Sequence, residues 1–178
     1  MDDTVLATTV RSAAMGDEVA FARLVAEHHA SMVRVAWVIA DDADVALDAV
    51  QSAWTIAWRK LGGLRDPDRV GTWLVAIAAN EAREAMRRRR RRAVTEIRID
   101  PEHRSAPAGT DASGAIASAD LDMALRQLSP DERRLLALRY VAGYDSADIG
   151  RITGTTASGV RSRLSRLLER LRRELQDA

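Results

Sequence analysis

The chain has no cysteine, only four prolines, and a single phenylalanine among aromatic residues that make up 4% of its 178 positions. Without cysteine there can be no disulfide framework, thiolate zinc site or cysteine nucleophile. No apolar run reaches the 18 or so residues that read as a membrane span, and no charged-then-apolar leader marks a signal peptide. The expectation is a cytoplasmic protein with no membrane insertion. Also missing are a glycine-rich phosphate loop and a nucleophile elbow. The adjacent His28 and His29 have no further histidine or carboxylate pair at ligand spacing, and His103 falls in a polar stretch. Neither a metal nor another cofactor is expected, and an enzyme is not the natural reading.

What the chain does have is aliphatic: 47% of its residues are hydrophobic, and with so few aromatics these are mostly Ala, Leu, Val and Ile. That composition points to an all-α protein. Its 27 basic and 26 acidic side chains leave a net charge of +1, but the charge is not evenly spread. Residues 1–80 carry −4, 81–92 carry +5, 93–120 carry −3, 121–150 carry −1 and 151–178 carry +4. Two short basic segments are thus separated by acidic chain. All the basic residues except Lys60 are arginine. A GC-rich genome would produce that bias, and so would selection for bidentate contacts to phosphate or guanine.

Residues 93–118 contain Pro101, Pro107, Gly109 and Gly114 among Ser, Thr and Asp, with no sustained helical period, and read as a flexible linker. It divides the chain into two small helical domains, 1–92 and 119–178, each near the lower size limit for a self-sufficient core. Two such domains are expected to move relative to each other.

In the first domain, Phe21, Leu24, Val25, His28, Met32, Val35 and Ile39 recur at steps of three and four, the spacing of one helix face. Asp41, Asp42 and Asp44 make an acidic turn before a second stripe, Leu47, Val50, Trp54, Ala57, Trp58 and Leu61, which ends at Gly62-Gly63. On this phase Trp54 and Trp58 belong to the core. A polar loop from Leu64 to Thr72 follows, and a third helix runs from about Trp73 into Arg92. It has Leu74, Ile77, Ala78 and Ala85 on one side and Asn80, Arg83, Glu84 and Arg87 on the other.

The second domain is more sharply punctuated. Ser129-Pro130-Asp131-Glu132 combines an N-cap serine, a proline at the first helical position and a glutamate at the third. That helix ends near Gly143. A short helix from about Asp145 to Ile152, a turn at Thr153-Gly154-Thr155 and a long final helix then read as a helix-turn-helix. On the final helix Val160, Leu164, Leu167, Leu168, Leu171 and Leu175 form the buried seam. Arg161, Ser162, Ser165, Arg166 and Glu169 lie opposite. Arg161 and Arg166 could reach guanine edges, and Thr156 and Ser158 stand at the helix start where a phosphate would be held. A four-helix bundle with a solvated arginine face is the bland alternative. The run Arg87–Arg92 alone would be a solvated helix end, and gains weight because a second basic surface lies beyond the linker.

Taken together and in order, these segments resemble a bacterial RNA polymerase sigma factor of the extracytoplasmic-function (ECF) group of the sigma-70 family. Leu47 to Arg59 looks like the region 2 helix that docks on the beta-prime clamp. Trp73 to Arg83 with the arginine run looks like the helix facing the minus-10 element. Leu128 to Tyr140 and Thr156 to Leu164 look like region 4. The resemblance implies no enzymatic activity and the following partners: polymerase core through its beta and beta-prime subunits, promoter DNA and, in addition, an anti-sigma factor.

By the same resemblance Asp48, Gln51, Ser52 and Arg59 would bind the clamp. Leu64, Arg65, Arg69, Thr72, Trp73, Asn80, Arg83 and Arg87 would face minus-10 DNA, with the Leu64–Thr72 loop capturing a flipped base. Thr156, Ser158, Arg161, Ser162, Arg163, Ser165 and Arg166 would face minus-35 DNA. Four departures stand out: Ser52 replaces a usual acid, Val70 a frequent Phe, Ala79 a frequent basic residue, and Ser158-Gly159 a usual Gly-Thr. The rival readings are a conventional helix-turn-helix regulator that binds duplex DNA alone, and an adaptor that binds an anti-sigma factor without opening promoters.

Overall fold

Carboxylates set most of the helix boundaries in the computed structural model, which describes residues 3–99, 124–125 and 127–176, with side chains omitted at 3 and 93–99. Helix α1 spans Asp3–Ala14 and α2 spans Glu18–Ala40. The Asp17 carboxylate caps α2 by accepting from the backbone N–H groups of Val19 and Ala20 at 2.9 and 3.1 Å. At the other end Asp41 takes a left-handed conformation, φ 53°, and donates its N–H to the Trp37 carbonyl. Asp42 then caps α3, Ala43–Lys60, through Val45. The acidic turn is therefore two helix caps back to back.

A short turn at Pro67–Arg69 leads into α4, Val70–Ile99. The helix starts at Val70 rather than near Trp73 because Pro67 and the Asp66 cap begin the winding early. It also continues past Arg92 to Ile99, into the stretch expected to be linker; residues 100–123 lie outside the described ones. Helices α2, α3 and α4 pack mutually around Leu24, Met32, Val35, Ile39, Val50 and Leu74. Alanines 53, 57, 78, 79 and 82 are fully buried between them, which allows close approach of the helices.

Helix α1, which the sequence reading did not assign, adds Val10 and Ala13 to this core. Its apolar set is short and interleaved with Thr and Ser, so its period is weak.

Two large side chains assigned to the core stripe are exposed. Leu47 is 51% and Trp58 40% accessible. The buried seam of α3 is Ala46, Ala49, Val50, Ala53 and Ala57, and the bulky residues flank it. Trp54 is half-buried and, like Trp58, meets Phe21 edge-on, with ring centroids 5.6 and 4.8 Å apart.

In the C-terminal unit, α5 spans Pro130–Leu136 and carries the expected capping box: Ser129 and Glu132 satisfy each other's backbone donors. The helix widens into a π turn over Ala137–Val141, where the Ala142 N–H reaches the Ala137 carbonyl at 2.9 Å. Helices α6, Ser146–Thr153, and α7, Ala157–Gln176, follow. The seam of α7 holds at Val160, Leu164, Leu167 and Leu171. Leu168 is half-buried, and Leu175 is 39% accessible because the helix outruns its neighbours.

The two units do not keep separate cores. Leu135, Ala137 and Leu138 belong to the same continuous apolar cluster as Leu24 and Leu74, and α5 and the π turn pack on α2 and α4. The expected two helical regions are present, and in this structure they share one apolar cluster. Units of this size with alanine-rich seams bury little apolar area alone, so joining them completes the core.

Candidate nucleic-acid interface

The four residues expected on the clamp face, Asp48, Gln51, Ser52 and Arg59, are all exposed on α3. Asp48, Gln51 and Ser52 line a groove whose other wall is Arg88, Arg89 and Arg92 of α4. The sequence reading did not connect those arginines to α3, although their spacing of three and four places them on one face. Arg89 pairs with Asp42 at 2.5 Å. With that hydrogen bond and the Val45 N–H, the Asp42 carboxyl is held below its usual range.

The eight residues expected at the minus-10 element divide into three groups. Leu64 and Trp73 are half-buried and pack on the core. Arg65, Arg69, Asn80 and Arg87 are exposed, Arg69 lying 3.1 Å from Asp66 and Arg87 3.7 Å from Glu84. The remaining two face the C-terminal unit. Thr72 lies beside the Tyr144 side chain. Arg83, with only 22% of its side chain accessible, pairs with Glu84 at 2.8 Å and with Asp131 at the start of α5.

Around Arg83 the contact between the units is polar at its edges. Arg133 is buried, donates to the Leu125 carbonyl at 3.2 Å and reaches Asp41 at 3.5 Å. Arg134 is buried beside it and donates to the Ile152 carbonyl at 2.9 Å. Burial, with the nearby positive charge of Arg83, pushes the Arg134 guanidinium down to about 10. Arg90 of α4 donates to the Leu128 carbonyl at 3.3 Å, and the Tyr144 hydroxyl reaches the Gly71 carbonyl at 3.5 Å. Ala79 is fully buried, so a basic side chain there would have no route to DNA in this arrangement.

The helix-turn-helix forms as expected. Asp145 caps α6 through Ala147 and Asp148, both at 2.8 Å, and Gly154 closes it with φ 69°. Thr156 accepts from the Gly159 N–H at 3.1 Å and so caps α7, with the Ser158 hydroxyl 3.1 Å away. Thr156, Ser158, Arg161, Ser162, Arg163, Ser165 and Arg166 are all exposed. At 100° per residue, Ser158 and Ser162 lie within about 30° of the direction opposite the buried seam, Ser165 and Arg166 about 50° from it on either side, and Arg161 and Arg163 roughly 100° from it on either side. A helix lying in a major groove would present the first four to bases and the last two towards the flanking phosphates.

Among the described residues no group of three or more His, Cys, Asp or Glu could hold a metal ion, and no helix is long and apolar enough to cross a membrane. Two exposed polar surfaces among the described residues are the α3–α4 face of the first unit and the α7 face of the second.

Two family models match the chain. Residues 24–92 match the family model for sigma-70 region 2 and residues 118–171 that for sigma-70 region 4. The chain is 33% identical over 128 residues to the RNA polymerase sigma factor CarQ of Myxococcus xanthus, covering 72% of this chain and 73% of CarQ. It is 31% identical over 160 residues to the ECF RNA polymerase sigma factor SigM of Mycobacterium tuberculosis, covering 90% and 79%. A probable RNA polymerase sigma factor of Xanthomonas campestris, RfaY, is 30% identical over 178 residues, and the chain spans only 44% of its length. Among solved structures, the sigma factor RpoE of Bartonella quintana, in complex with the anti-sigma factor NepR, superposes with a TM-score of 0.69 at 25% identity, covering 88% of this chain and 96% of that one. CnrH, in complex with the cytosolic domain of CnrY, shares the fold at 24% identity with a TM-score of 0.65, covering 97% and 98%.

Proposed function

We infer, from the premise that this chain belongs to the sigma-70 family as an RNA polymerase sigma factor of ECF type, that its two surfaces divide promoter recognition between them. The α3 face around Asp48, Gln51, Ser52 and Arg59 docks on the clamp of polymerase core. The exposed side of α4 with its preceding loop holds unpaired minus-10 bases, and α7 reads the minus-35 duplex. The beta subunit is taken as the partner of the C-terminal unit.

The observation that carries this reading is the exposed recognition face of α7. Its serine- and arginine-lined side is presented to solvent by a capped turn, and Arg161 and Arg163 have no protein partner among the described residues. A helix whose exposed N-terminal side carries hydroxyls and arginines is suited to a phosphate-lined groove.

Promoter melting then needs no bond chemistry from the chain, in keeping with a non-enzymatic family. Trapping a few unpaired bases in a pocket and an arginine-lined groove offsets an unstacking cost of a few kcal/mol per base. The acidic stretch 93–120 is assigned to the nucleic-acid channel of the polymerase, where its net −3 would mimic RNA and be displaced by the growing transcript. By analogy with RpoE of Bartonella quintana, which is bound to the anti-sigma factor NepR, an anti-sigma factor is a further partner.

In vitro transcription with purified core polymerase tests the reading. The chain should bind core and direct transcription from a subset of genomic promoter fragments. Binding to duplex DNA without any binding to core would instead establish a conventional helix-turn-helix regulator.

A further inference from the structure

We propose that Glu169 is a specificity-determining residue of α7, which selects a cytosine at one position of the minus-35 duplex. The proposal rests on the function inferred above and names a base that the C-terminal unit chooses.

The acidic side chains on α7 are Glu169 and Glu174, and their surroundings differ. Glu174 lies 3.6 Å from Arg170, which also pairs with Glu132 of α5 at 2.8 Å. Glu169 is exposed and pairs with no arginine among the described residues, although Arg166, Arg172 and Arg173 all stand within about one turn of it. Arg166 turns its Nε back to the Ser162 carbonyl at 3.3 Å, and Arg173 turns its Nε to the backbone carbonyl of Glu169 at 3.4 Å. The Glu169 carboxylate itself accepts from the Ser165 hydroxyl at 3.4 Å. It therefore stays available on a surface rich in arginine.

Its place on the helix is central. At 100° per residue Glu169 lies within about 10° of the direction opposite the buried seam, nearer the middle of the exposed face than Ser165 or Arg166. It follows Ser162 by seven residues, about 10 Å along the axis or roughly three base-pair steps. A helix lying along a major groove thus brings Ser162 and Glu169 to base edges together, with Ser165 and Arg166 on either side of the line between them.

A carboxylate in the middle of a DNA-facing surface is repelled by the surrounding phosphates, and weakens binding to every sequence unless a base supplies a donor. In the major groove guanine offers two acceptors, thymine an acceptor and a methyl group, and adenine an acceptor beside its amine. Cytosine offers a donor with no acceptor next to it. An ionised carboxylate can only accept, so it favours cytosine and penalises the other three bases. Arg161 and Arg163, at the edges of the face, supply the phosphate attraction that this repulsion offsets.

The test uses holoenzyme assembled from the full chain and purified core polymerase. It is bound to a promoter fragment that the parent transcribes, with the minus-35 segment randomised, and the bound fraction is sequenced. The parent should enrich cytosine at one position of one strand. Glu169→Gln, whose amide pairs with both edge groups of adenine, should lower that cytosine preference roughly five- to tenfold and move it to adenine. Glu169→Ala should erase the preference there while raising affinity for all sequences. Glu169 joins no interhelix ion pair and is exposed, so neither substitution disturbs the core. No cytosine-preferring position in the parent, or the same profile in all three proteins, overturns the proposal. So does a uniform rise in affinity with an unchanged profile, which would leave Glu169 a repelling charge only. A parent holoenzyme that transcribes no promoter fragment would overturn the sigma-factor reading instead, so the two failures are distinguishable.

Discussion

A β-carbon placed on Gly150 would stand 2.8 Å from the carbonyl oxygen of Thr155, closer than any side-chain carbon sits to a backbone oxygen in practice. Helix α6 and the turn before α7 touch at this point without room for a methyl group. The separation of the two helices in the DNA-reading unit depends on that contact.

Gly150→Ala is therefore expected to push the turn outward and tilt α7. The cost should be about 1–3 kcal/mol, the range for overpacking a tight interior contact. Chemical denaturation would measure it, and affinity for minus-35 duplex should fall in parallel. An unchanged unfolding midpoint would show that the turn gives way freely.

Ser129→Ala removes one half of the α5 capping box and should destabilise the protein by about 1 kcal/mol. Its partner Glu132 adds a pH dependence. Burial pushes the Glu132 carboxyl up, but the Ser129 N–H and hydroxyl and the Arg170 guanidinium on α7 outweigh it and hold the carboxyl below the usual 4.5. A carboxyl depressed in the folded state stabilises it above the unfolded value and loses that contribution as pH falls through the folded one. Stability should thus decline below about pH 4.5 less steeply in Glu132→Gln than in the parent, as thermal melts at successive pH values would show.

His28 gives an opposite charge change at a higher pH. Its Nε2 is buried with no hydrogen-bond partner, and a β-carbon on Gly71 would lie only 3.2 Å from its ring, so the imidazole is closely walled in. Burial lowers its affinity for a proton below the usual 6.5, against a smaller opposing effect of Glu27. Below that value the unfolded chain binds the proton first, so stability falls as pH drops. His28→Leu should remove this loss between about pH 7 and 5, measured as the change in Tm across that window.

Arg166→Ala and Arg161→Ala should separate base reading from phosphate binding on α7. Arg166 lies nearer the centre of the exposed face than Arg161, and its loss should cost about 1–3 kcal/mol while relaxing preference at one base pair. Arg161 lies at the edge, so its loss should weaken all sequences alike and reduce the salt slope by about 1. Competition binding at several salt concentrations distinguishes the two patterns.

Much of the fold was legible because its signals are local. Asp17, Asp42, Ser129, Asp145 and Thr156 cap helices through atoms two or three residues away, which a sequence displays directly. The face of α7 was legible for the same reason, from one stripe at helical spacing. Trp58 and Leu47 were misassigned because side-chain size outweighed phase, when the seam of α3 is made of alanine. The contact between the units could not be read. Arg83 and Asp131 are 48 residues apart, and nothing local in either segment announces the partner. Likewise Arg133 and Arg134 look like solvent-exposed cations until packing on α2 buries them.

Six consecutive arginines look interchangeable in a sequence, yet a helix turns them to every side. Arg87 leans towards Glu84, Arg89 is tied to Asp42, Arg90 reaches the Leu128 carbonyl, and Arg88 and Arg92 overlook the groove beside Ser52. Neighbours in sequence have different occupations in space. Lysine at all six positions would preserve the charge and abolish the forked geometry, so a charge count of this stretch and its genetics should disagree. Single substitutions along the run should fall into distinct phenotypic classes, repeating with the pitch of the helix rather than grading with distance from either end.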